Sequence, residues 1–329
     1  MKTTLTGENR FENDASRYAA YLGTPEGRLR GDLTFANLQD FLPAAPEIRS
    51  LSALDLGCGT GAAAVRLAGL GIRVTLLDSS PTMLALAERA VADARVSDKI
   101  RIKHGDVAQL AEIFQAASFD IILCHNLLEY VDDPRAVLRS AARTMRDSTA
   151  ILSVLARNRA GEVLKAAFQT GDLDAAEHTL TADWVEESLY GGRVRLFTPE
   201  ALEATLKDAS FTTKARRGVR VIADYLPARI SRSADYERIF AMERKLGERP
   251  EFFGVARYMH CLATCATLGS EAEECAPSNL HFRLPLHRSK QIPAFRSGLD
   301  SPTSATSSAP SATAIPRARI ASRSNRSSQ

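Results

Sequence analysis

Residues 54–67 read LDLGCGTGAAAVRL. An apolar run ends at three closely spaced glycines, Gly57, Gly59 and Gly61, and an alanine-rich helical pattern follows at once. Glycine permits positive φ and lets a ligand approach the backbone closely, and the first N–H groups of a helix lack partners within the helix. The stretch therefore predicts a strand, a tight turn and a helix that form a ligand site.

Short β-rich runs alternate with helical patterns along the rest of the chain. The patterns predict strands at 51–56, 72–78, 99–106, 119–126 and 149–156, and helices at 62–71, 80–95 and 134–147. This alternation is typical of a Rossmann-like, doubly wound α/β fold, a parallel sheet with helices on both faces. Right-handed crossovers bring the strand C-termini to one edge, where ligands bind at the point of strand-order reversal.

An acidic residue at the end of the second strand indicates the kind of ligand. Asp78 lies 21 residues after Gly57, and a carboxylate there can accept hydrogen bonds from ribose hydroxyls. NAD, FAD and S-adenosylmethionine all satisfy this pattern. Two features favour S-adenosylmethionine: the glycine pattern is GCGTG rather than GxGxxG, and HGD (104–106) puts Asp106 where an adenine amino group would lie.

These motifs together resemble the class I S-adenosylmethionine-dependent methyltransferases. The resemblance spans residues 15–268 and is carried by LDLGCGTG (54–61), LLD (76–78), HGD (104–106) and CHNLLEYVDDP (124–134). It implies a mostly parallel seven-stranded sheet and S-adenosylmethionine as the cofactor, with its methionine end at the glycine turn.

Four further segments resemble a narrower family, the bacterial tRNA 5-carboxymethoxyuridine methyltransferases. They are 21–42, 122–138, 218–226 and 256–263. That family methylates the carboxylate of 5-carboxymethoxyuridine at the tRNA wobble position, so the resemblance implies the anticodon region of tRNA as partner. Residues 157–197, where a cover over the acceptor is expected, are only loosely similar.

The resemblance assigns roles to the cofactor-site residues. Arg30 is expected to bind the cofactor carboxylate, Asp78 the ribose, and Asp106 with Val107 the adenine. Asp55 is expected to orient the site through the glycine-loop backbone. The predicted cofactor site comprises Arg30, Asp55, Gly57, Cys58, Gly59, Asp78, Asp106, Val107 and His125.

The sequence indicates less clearly which residues bind the methyl acceptor, here called the acceptor side of the site. Methyl transfer from a sulfonium is an in-line displacement that depends on positioning, and a carboxylate is already ionised at neutral pH. We therefore predict no catalytic base and no metal site. An arginine fork suits a carboxylate; the predicted acceptor-side residues are Arg220, Arg257 and Tyr258, with Glu129 and Tyr130 at the rim and His104 and His260 in structural roles.

Charge divides the chain into two parts. Of 42 basic and 39 acidic residues, 277–329 hold eight basic residues and one acid, which leaves a body of about −4 and a tail of +7. We predict a methyltransferase domain at 1–270, with N-terminal helices and an acceptor-side insertion near 157–197. Because residues 271–329 are rich in Ser, Ala, Thr and Pro, we expect a disordered, low-complexity basic tail.

The remaining features suggest a cytoplasmic protein. The N-terminus has no signal-peptide pattern, no apolar run approaches a bilayer span, and the five irregularly spaced cysteines fit reduced thiols. The oligomeric state is open. One alternative function is a small-molecule methyltransferase on the same fold. Another is a non-enzymatic module that binds a nucleoside-bearing cofactor, or else an NAD enzyme.

Overall fold

One seven-stranded sheet organises the chain. The computed structural model describes residues 7–186, 192–227 and 229–266. In that part of the chain the strands are β1 (Ser52–Leu56), β2 (Arg73–Asp78), β3 (Ile100–His104), β4 (Ile121–His125), β5 (Ile151–Arg157), β6 (Trp184–Glu186), β7 (Arg193–Arg195), β8 (Phe211–Val219) and β9 (Tyr258–Cys265). Each of the five predicted strands is found, with its ends shifted by at most two residues.

Helices connect and cover these strands. They are α1 (Gly7–Leu22), α2 (Pro25–Gln39), α3 (Ala62–Gly69), α4 (Pro81–Asp93), α5 (Leu110–Ile113), α6 (Pro134–Thr144), α7 (Arg159–Lys165), α8 (Leu173–Thr179), α9 (Pro199–Asp208), α10 (Tyr236–Gly247) and α11 (Pro250–Phe253). Local signals set several boundaries. The Ser80 side chain, for example, accepts a hydrogen bond from the Met83 N–H, and Pro81 occupies the first turn of α4.

The sheet order confirms the Rossmann-like fold. The strands run β3-β2-β1-β4-β5-β9-β8. β1 to β5 are mutually parallel, and β9 pairs antiparallel with β5 and β8. The order reverses between β1 and β4, so the loops after these two strands diverge and leave a crevice at their carboxyl ends.

Apolar side chains on both faces of the sheet form the core. One cluster joins β4 and β5 to α6 and α9, and a second joins β1 and β2 to α3 and α4. β4 is fully buried from Ile121 to Cys124, as expected for a central strand covered on both faces. These two layers hold the strand ends rigidly beside the crevice.

Two additions flank the crevice. The N-terminal helix α2 packs against α3, α10 and β8, and Asp32 on α2 accepts hydrogen bonds from Arg66 and the Tyr236 hydroxyl. The insertion after β5 contributes α7, α8 and the β6–β7 hairpin. The predicted tail at 271–329 lies outside the described residues. Within them, no helix is both long and apolar enough to cross a membrane.

Candidate functional site

The glycine turn follows β1 at the crevice. Gly57, Gly59 and Gly61 have φ of 62°, 52° and 72°, in the left-handed region that favours glycine. A Cβ added to Gly57 would lie 2.8 Å from Cδ1 of Leu127. The turn therefore needs glycine both for its conformation and for its close contact with the loop after β4.

Asp78 holds this turn in place. Its Oδ2 accepts a hydrogen bond from the Gly59 N–H at 2.8 Å, and its Oδ1 accepts one from the Ser80 N–H at 2.9 Å. Asp55 was predicted to orient the loop through its backbone, but the observed contacts assign this role to Asp78. Each Asp78 oxygen retains a second lone pair, and the residue lies on the wall of the crevice.

The crevice contains two adjoining cavities. The larger has a volume of about 620 Å³ and the smaller about 170 Å³. The larger volume lies within the range of small-molecule sites. Five residues line both cavities: Tyr18, Arg30, Gly57, His125 and Asn126.

Arg30 enters this shared region from α2. Its Nη2 donates to the Tyr18 hydroxyl at 3.0 Å, and its guanidinium lies 5.1 Å from the ring centre of Tyr21 and 5.6 Å from that of Tyr258. Aromatic faces stabilise a cation without neutralising it. Arg30 therefore brings positive charge to the cavity wall, where the cofactor carboxylate was expected.

Asp55 is a buried carboxylate on the wall of the smaller cavity. Burial, together with the nearby Asp78 carboxylate, raises the pKa of Asp55 to about 8. Among the described residues no side chain or backbone N–H donates a hydrogen bond to it. A positively charged ligand group would stabilise its ionised form.

The end of β3 supplies another part of the larger cavity. Asp106 accepts a hydrogen bond from the Ala108 N–H at 2.8 Å and begins a short helical turn that starts at Val107. Both residues line the larger cavity, together with Met83 of α4. This combination of an acid, a backbone turn and apolar side chains suits a nucleobase edge and face.

The residues present fit S-adenosylmethionine. Arg30 matches its carboxylate, the Asp55 carboxyl matches its cationic groups, and Asp78 can accept from ribose hydroxyls. Cys58 also lines the smaller cavity, and burial raises its thiol pKa. The structure thus brings all nine predicted cofactor residues to the walls of the two cavities.

His125, at the end of β4, is neutral. Burial and the neighbouring Arg30 lower its pKa to about 3. Its Nε2 lies 2.8 Å from the Ser153 hydroxyl. A histidine with this pKa neither carries a charge nor accepts a proton from the acceptor at neutral pH.

Buried arginines lie behind the acceptor side of the crevice. Arg220 pairs with Asp224 and donates to the Tyr21 hydroxyl at 2.8 Å. Arg257 pairs with Glu162 at 2.7 Å. Four arginines, with Arg30 the foremost, lower the pKa of buried Tyr258 to about 8 against the effect of burial.

The placement of these residues corrects the predicted acceptor side. Arg220, Arg257 and Tyr258 line neither of the two described cavities. Arg157, the last residue of β5, lines the larger cavity together with Arg30. Glu162 accepts from Arg157 Nη1 at 2.9 Å, so one carboxylate positions both Arg157 and Arg257.

Glu129 lies deeper than expected, whereas His104 makes a structural contact as predicted. Glu129 is buried beneath the rim, where its Oε1 accepts from the Arg157 N–H at 2.8 Å and from Asn126 Nδ2 at 2.9 Å. Tyr130 lines the larger cavity as predicted for the rim. His104 Nε2 lies 3.0 Å from the Ser79 carbonyl oxygen, a structural contact.

Three site residues escaped the sequence analysis: Tyr18, Asn126 and Arg157. Arg157 had a usable signal, because it ends a parallel strand and so lies at the ligand edge. Asn126 follows His125 directly after β4. Tyr18 lies on α1 and had no signal in its own segment, because only the packing of α1 brings it to the crevice.

Residues 54–153 match the family model described as a methyltransferase domain. The chain is 26% identical over 266 residues to the tRNA 5-carboxymethoxyuridine methyltransferase of Escherichia coli K12, which covers 78% of this chain and 96% of that protein. It is 32% identical over 126 residues to a ubiquinone biosynthesis O-methyltransferase of Xanthomonas oryzae pv. oryzae. This match covers 38% of this chain and 52% of that protein.

Solved structures share the fold at low sequence identity. The CcbJ methyltransferase of Streptomyces caelestis superposes with a TM-score of 0.53 at 18% identity, over 80% of this chain and 100% of that one. Magnesium protoporphyrin IX methyltransferase of Synechocystis PCC 6803, solved with bound SAH, superposes with a TM-score of 0.53 at 14% identity. The superposition covers 79% of this chain and 98% of that one.

Proposed function

We propose that this chain, an S-adenosylmethionine-dependent methyltransferase, transfers the methyl group to the carboxylate of 5-carboxymethoxyuridine at the wobble position of tRNA. The product is the methyl ester of that nucleoside.

The proposal rests on how much of the Escherichia coli tRNA enzyme the sequence similarity covers. The match to the Escherichia coli tRNA enzyme covers 96% of that protein, so it includes the elements outside the cofactor-binding core. The match to the ubiquinone enzyme covers 52% of that protein. Because acceptor specificity resides in the site rather than in the fold, similarity that continues through the flanking elements is the more informative of the two.

The chemistry of the cavity supports an anionic acceptor. Arg157 brings a guanidinium to the cavity wall, and a guanidinium can donate a charge-assisted hydrogen bond to a carboxylate. Glu162 holds it from behind: burial alone would raise the pKa of Glu162, but Arg257 and Arg157 lower it to about 2. The ion pair is therefore intact at neutral pH and presents Arg157 in one orientation.

The reaction needs positioning and no proton transfer by the protein. When bound, S-adenosylmethionine supplies an electrophilic methyl group and takes up the electron pair of the broken carbon–sulfur bond. A carboxylate oxygen provides the electron pair of the new bond and has no proton to lose. Arg157 orients this carboxylate, Arg30 and Asp78 hold the cofactor, and neutral His125 leaves the nucleophile ionised.

The first test measures the product directly. Purified full-length protein is incubated with methyl-labelled S-adenosylmethionine and bulk tRNA from cells that lack the endogenous enzyme. The tRNA is then digested and its nucleosides are analysed by mass spectrometry. We expect label in the methyl ester of 5-carboxymethoxyuridine, and a loss of about 100-fold or more in kcat/KM for Arg157→Gln, because an ion pair with the acceptor is removed.

Matched variants make the result specific. Arg159→Gln changes a neighbouring arginine that pairs with Asp183 outside both cavities and should retain activity. Asp78→Ala and Arg30→Ala should lose binding of S-adenosylmethionine, whereas Arg157→Gln should keep it. Tight cofactor binding without label on any tRNA would contradict the proposal and favour a small-molecule acceptor.

A further inference from the structure

A chain of buried polar side chains runs from the surface to the cavity. Arg244 Nη1 lies 2.8 Å from Asn37 Oδ1, and Asn37 Nδ2 lies 3.3 Å from His260 Nδ1. His260 Nε2 lies 2.8 Å from the Ser153 hydroxyl, which lies 2.8 Å from His125 Nε2. The five residues come from α10, α2, β9, β5 and β4. We call them the polar chain.

Arg244 fixes the direction of the first hydrogen bond. A guanidinium can only donate, so the Asn37 side chain must present its oxygen to Arg244 and its NH₂ to His260. The reversed amide would place two donors 2.8 Å apart. The amide orientation therefore follows from chemistry and not from the similar size of nitrogen and oxygen.

The donor and acceptor of each further hydrogen bond in the polar chain follow from the first. Because Asn37 donates to His260 Nδ1, this nitrogen carries no proton, and the proton of neutral His260 is on Nε2. His260 Nε2–H then donates to the Ser153 oxygen. The described residues offer the Ser153 hydroxyl proton no other acceptor, so it points to His125 Nε2, which accepts it. Burial lowers the pKa of both histidines, so each carries a single ring proton.

We infer that His125 carries its proton on Nδ1 and donates it in a hydrogen bond to an oxygen of the acceptor carboxylate. Arg244 sets this tautomer from the other end of the polar chain. Among the described residues no protein atom hydrogen-bonds to His125 Nδ1, and His125 lines both cavities. The carboxylate as partner rests on the proposed function, whereas the tautomer does not.

The position of His125 beside Arg157 supports this partner. His125 ends β4 and Arg157 ends β5, and these parallel strands are neighbours with His125 opposite Leu155. Both residues line the larger cavity. A neutral N–H and a guanidinium at adjacent strand ends can each donate to one carboxylate. Neither can protonate it, so the nucleophile stays ionised while it is held.

The tautomer can be read directly in the wild-type protein. Full-length protein with ¹⁵N-labelled histidine is saturated with S-adenosylhomocysteine at pH 8, and side-chain ¹H–¹⁵N correlation spectra identify the protonated nitrogen of each ring. The His125→Gln variant assigns the His125 signal. We expect the proton of His125 on Nδ1 and that of His260 on Nε2. A proton on Nε2 of His125 overturns the inference.

Asn37→Asp should reverse the hydrogen-bond directions along the polar chain, while the shape of the side chain hardly changes. A carboxylate accepts from both Arg244 and His260, so His260 must move its proton to Nδ1. Ser153 then donates to His260 and accepts from His125 Nε2–H, which leaves a lone pair on His125 Nδ1. An unchanged His125 tautomer in this variant would overturn control by the polar chain.

Asp40→Asn is the matched control. Asp40 accepts from Arg244 Nη2 at 2.9 Å, so this change removes a charge next to the same guanidinium but leaves Arg244 a donor. We expect both histidine tautomers to be unchanged.

Binding completes the test. Two anticodon stem-loops are compared, one with 5-carboxymethoxyuridine and one with uncharged 5-methoxyuridine at the wobble position. Asn37→Asp should weaken binding of the carboxylate form by about tenfold or more and that of the neutral form little, since hydrogen bonds to charged groups contribute most. A reversed tautomer with unchanged carboxylate affinity overturns the donor role. A wild-type protein that binds the two stem-loops equally contradicts the proposed function and leaves the tautomer assignment standing.

Discussion

At the scale of single residues, two buried carboxylates at one edge of the sheet have different roles. Asp78 accepts two backbone N–H hydrogen bonds and holds the glycine turn. Asp55, on the adjacent strand, accepts none from the described residues and lines the smaller cavity. Ionising a buried carboxyl with a raised pKa costs folding free energy, which a positively charged ligand can recover. We therefore expect Asp55 to couple stability to cofactor binding.

The raised pKa of Asp55 predicts how stability and cofactor affinity depend on pH. Its pKa in the fold, about 8, lies above the ordinary value of 3.8, so the folded state holds a proton that the unfolded state has lost. Stability therefore falls as the pH rises from about 4 to about 8 and falls no further above that. S-adenosylmethionine is a cation at its sulfonium, so it favours the ionised carboxyl. We expect its affinity to rise between pH 6 and 9 by calorimetry.

Asp55→Asn should remove this pH dependence. We expect affinity for S-adenosylmethionine to fall by about tenfold or more, because one unit of pKa shift is about 1.4 kcal/mol, and the melting temperature above pH 8 to rise. Asp120→Asn, at the opposite end of the neighbouring strand, should leave cofactor affinity unchanged. If Asp55→Asn binds as tightly as wild type at pH 9, Asp55 has no part in the cofactor site.

At the scale of elements, the β6–β7 hairpin contacts the loop after β4 that lines the larger cavity. Arg195 lies with its guanidinium 4.5 Å from the ring centre of Trp184, and Arg193 lies 5.6 Å from it. Arg195 Nη2 also donates to the carbonyl oxygen of Asp132, which lines the cavity. Tryptophan with arginines is a combination that stacks on unpaired bases and attracts phosphates.

We expect this hairpin to contact the anticodon loop. Trp184→Ala should weaken binding of an anticodon stem-loop by about five- to 100-fold, the range for loss of one stacked base, as measured by fluorescence anisotropy. Affinity for S-adenosylmethionine should not change. Trp184→Phe retains an aromatic face and should recover most of the loss. Equal effects of both variants on cofactor binding would mean that the hairpin only supports the fold.

At the scale of the whole molecule, buried ion pairs link the sheet to the flanking helices. Glu162 on α7 pairs with Arg157 of β5 and with Arg257 next to β9, and Asp224 pairs with Arg220, which reaches Tyr21 on α1. Segments that are distant in the sequence are thus joined behind the cavity. Breaking one buried pair leaves an uncompensated charge, which is costly.

Glu162 makes this network sensitive to acid. Its pKa of about 2 lies below the ordinary 4.5, so its stabilising effect is complete above about 4.5 and is lost as the pH falls towards 2. Glu162→Gln should lower the free energy of unfolding at pH 7 by about 3–5 kcal/mol. The difference between the variant and the wild type should shrink below pH 4 in urea titrations. A constant difference at all pH values would contradict an ionised Glu162.

Much of the fold could be predicted because its signals are local. The buried strand 119–126 and the helix that begins after Ser80 depend on apolar runs, cap residues and prolines that lie next to one another in the chain. The cofactor side was predictable for a related reason. Parallel strands end at one edge, so the residues that follow β1, β2 and β4 must meet there whatever the packing elsewhere.

The sequence by itself therefore determined the α/β sheet, the glycine turn and the acid that accompanies it. Only the tertiary structure decided which of Arg157, Arg220 and Arg257 lines the larger cavity. Arg157 reaches the cavity while Arg220 and Arg257 remain behind it, because Glu162 and Asp224 hold them there through contacts between distant segments. The direction of the hydrogen bonds from Arg244 to His125 has the same origin, since five separate elements must pack together before any one proton has a defined place.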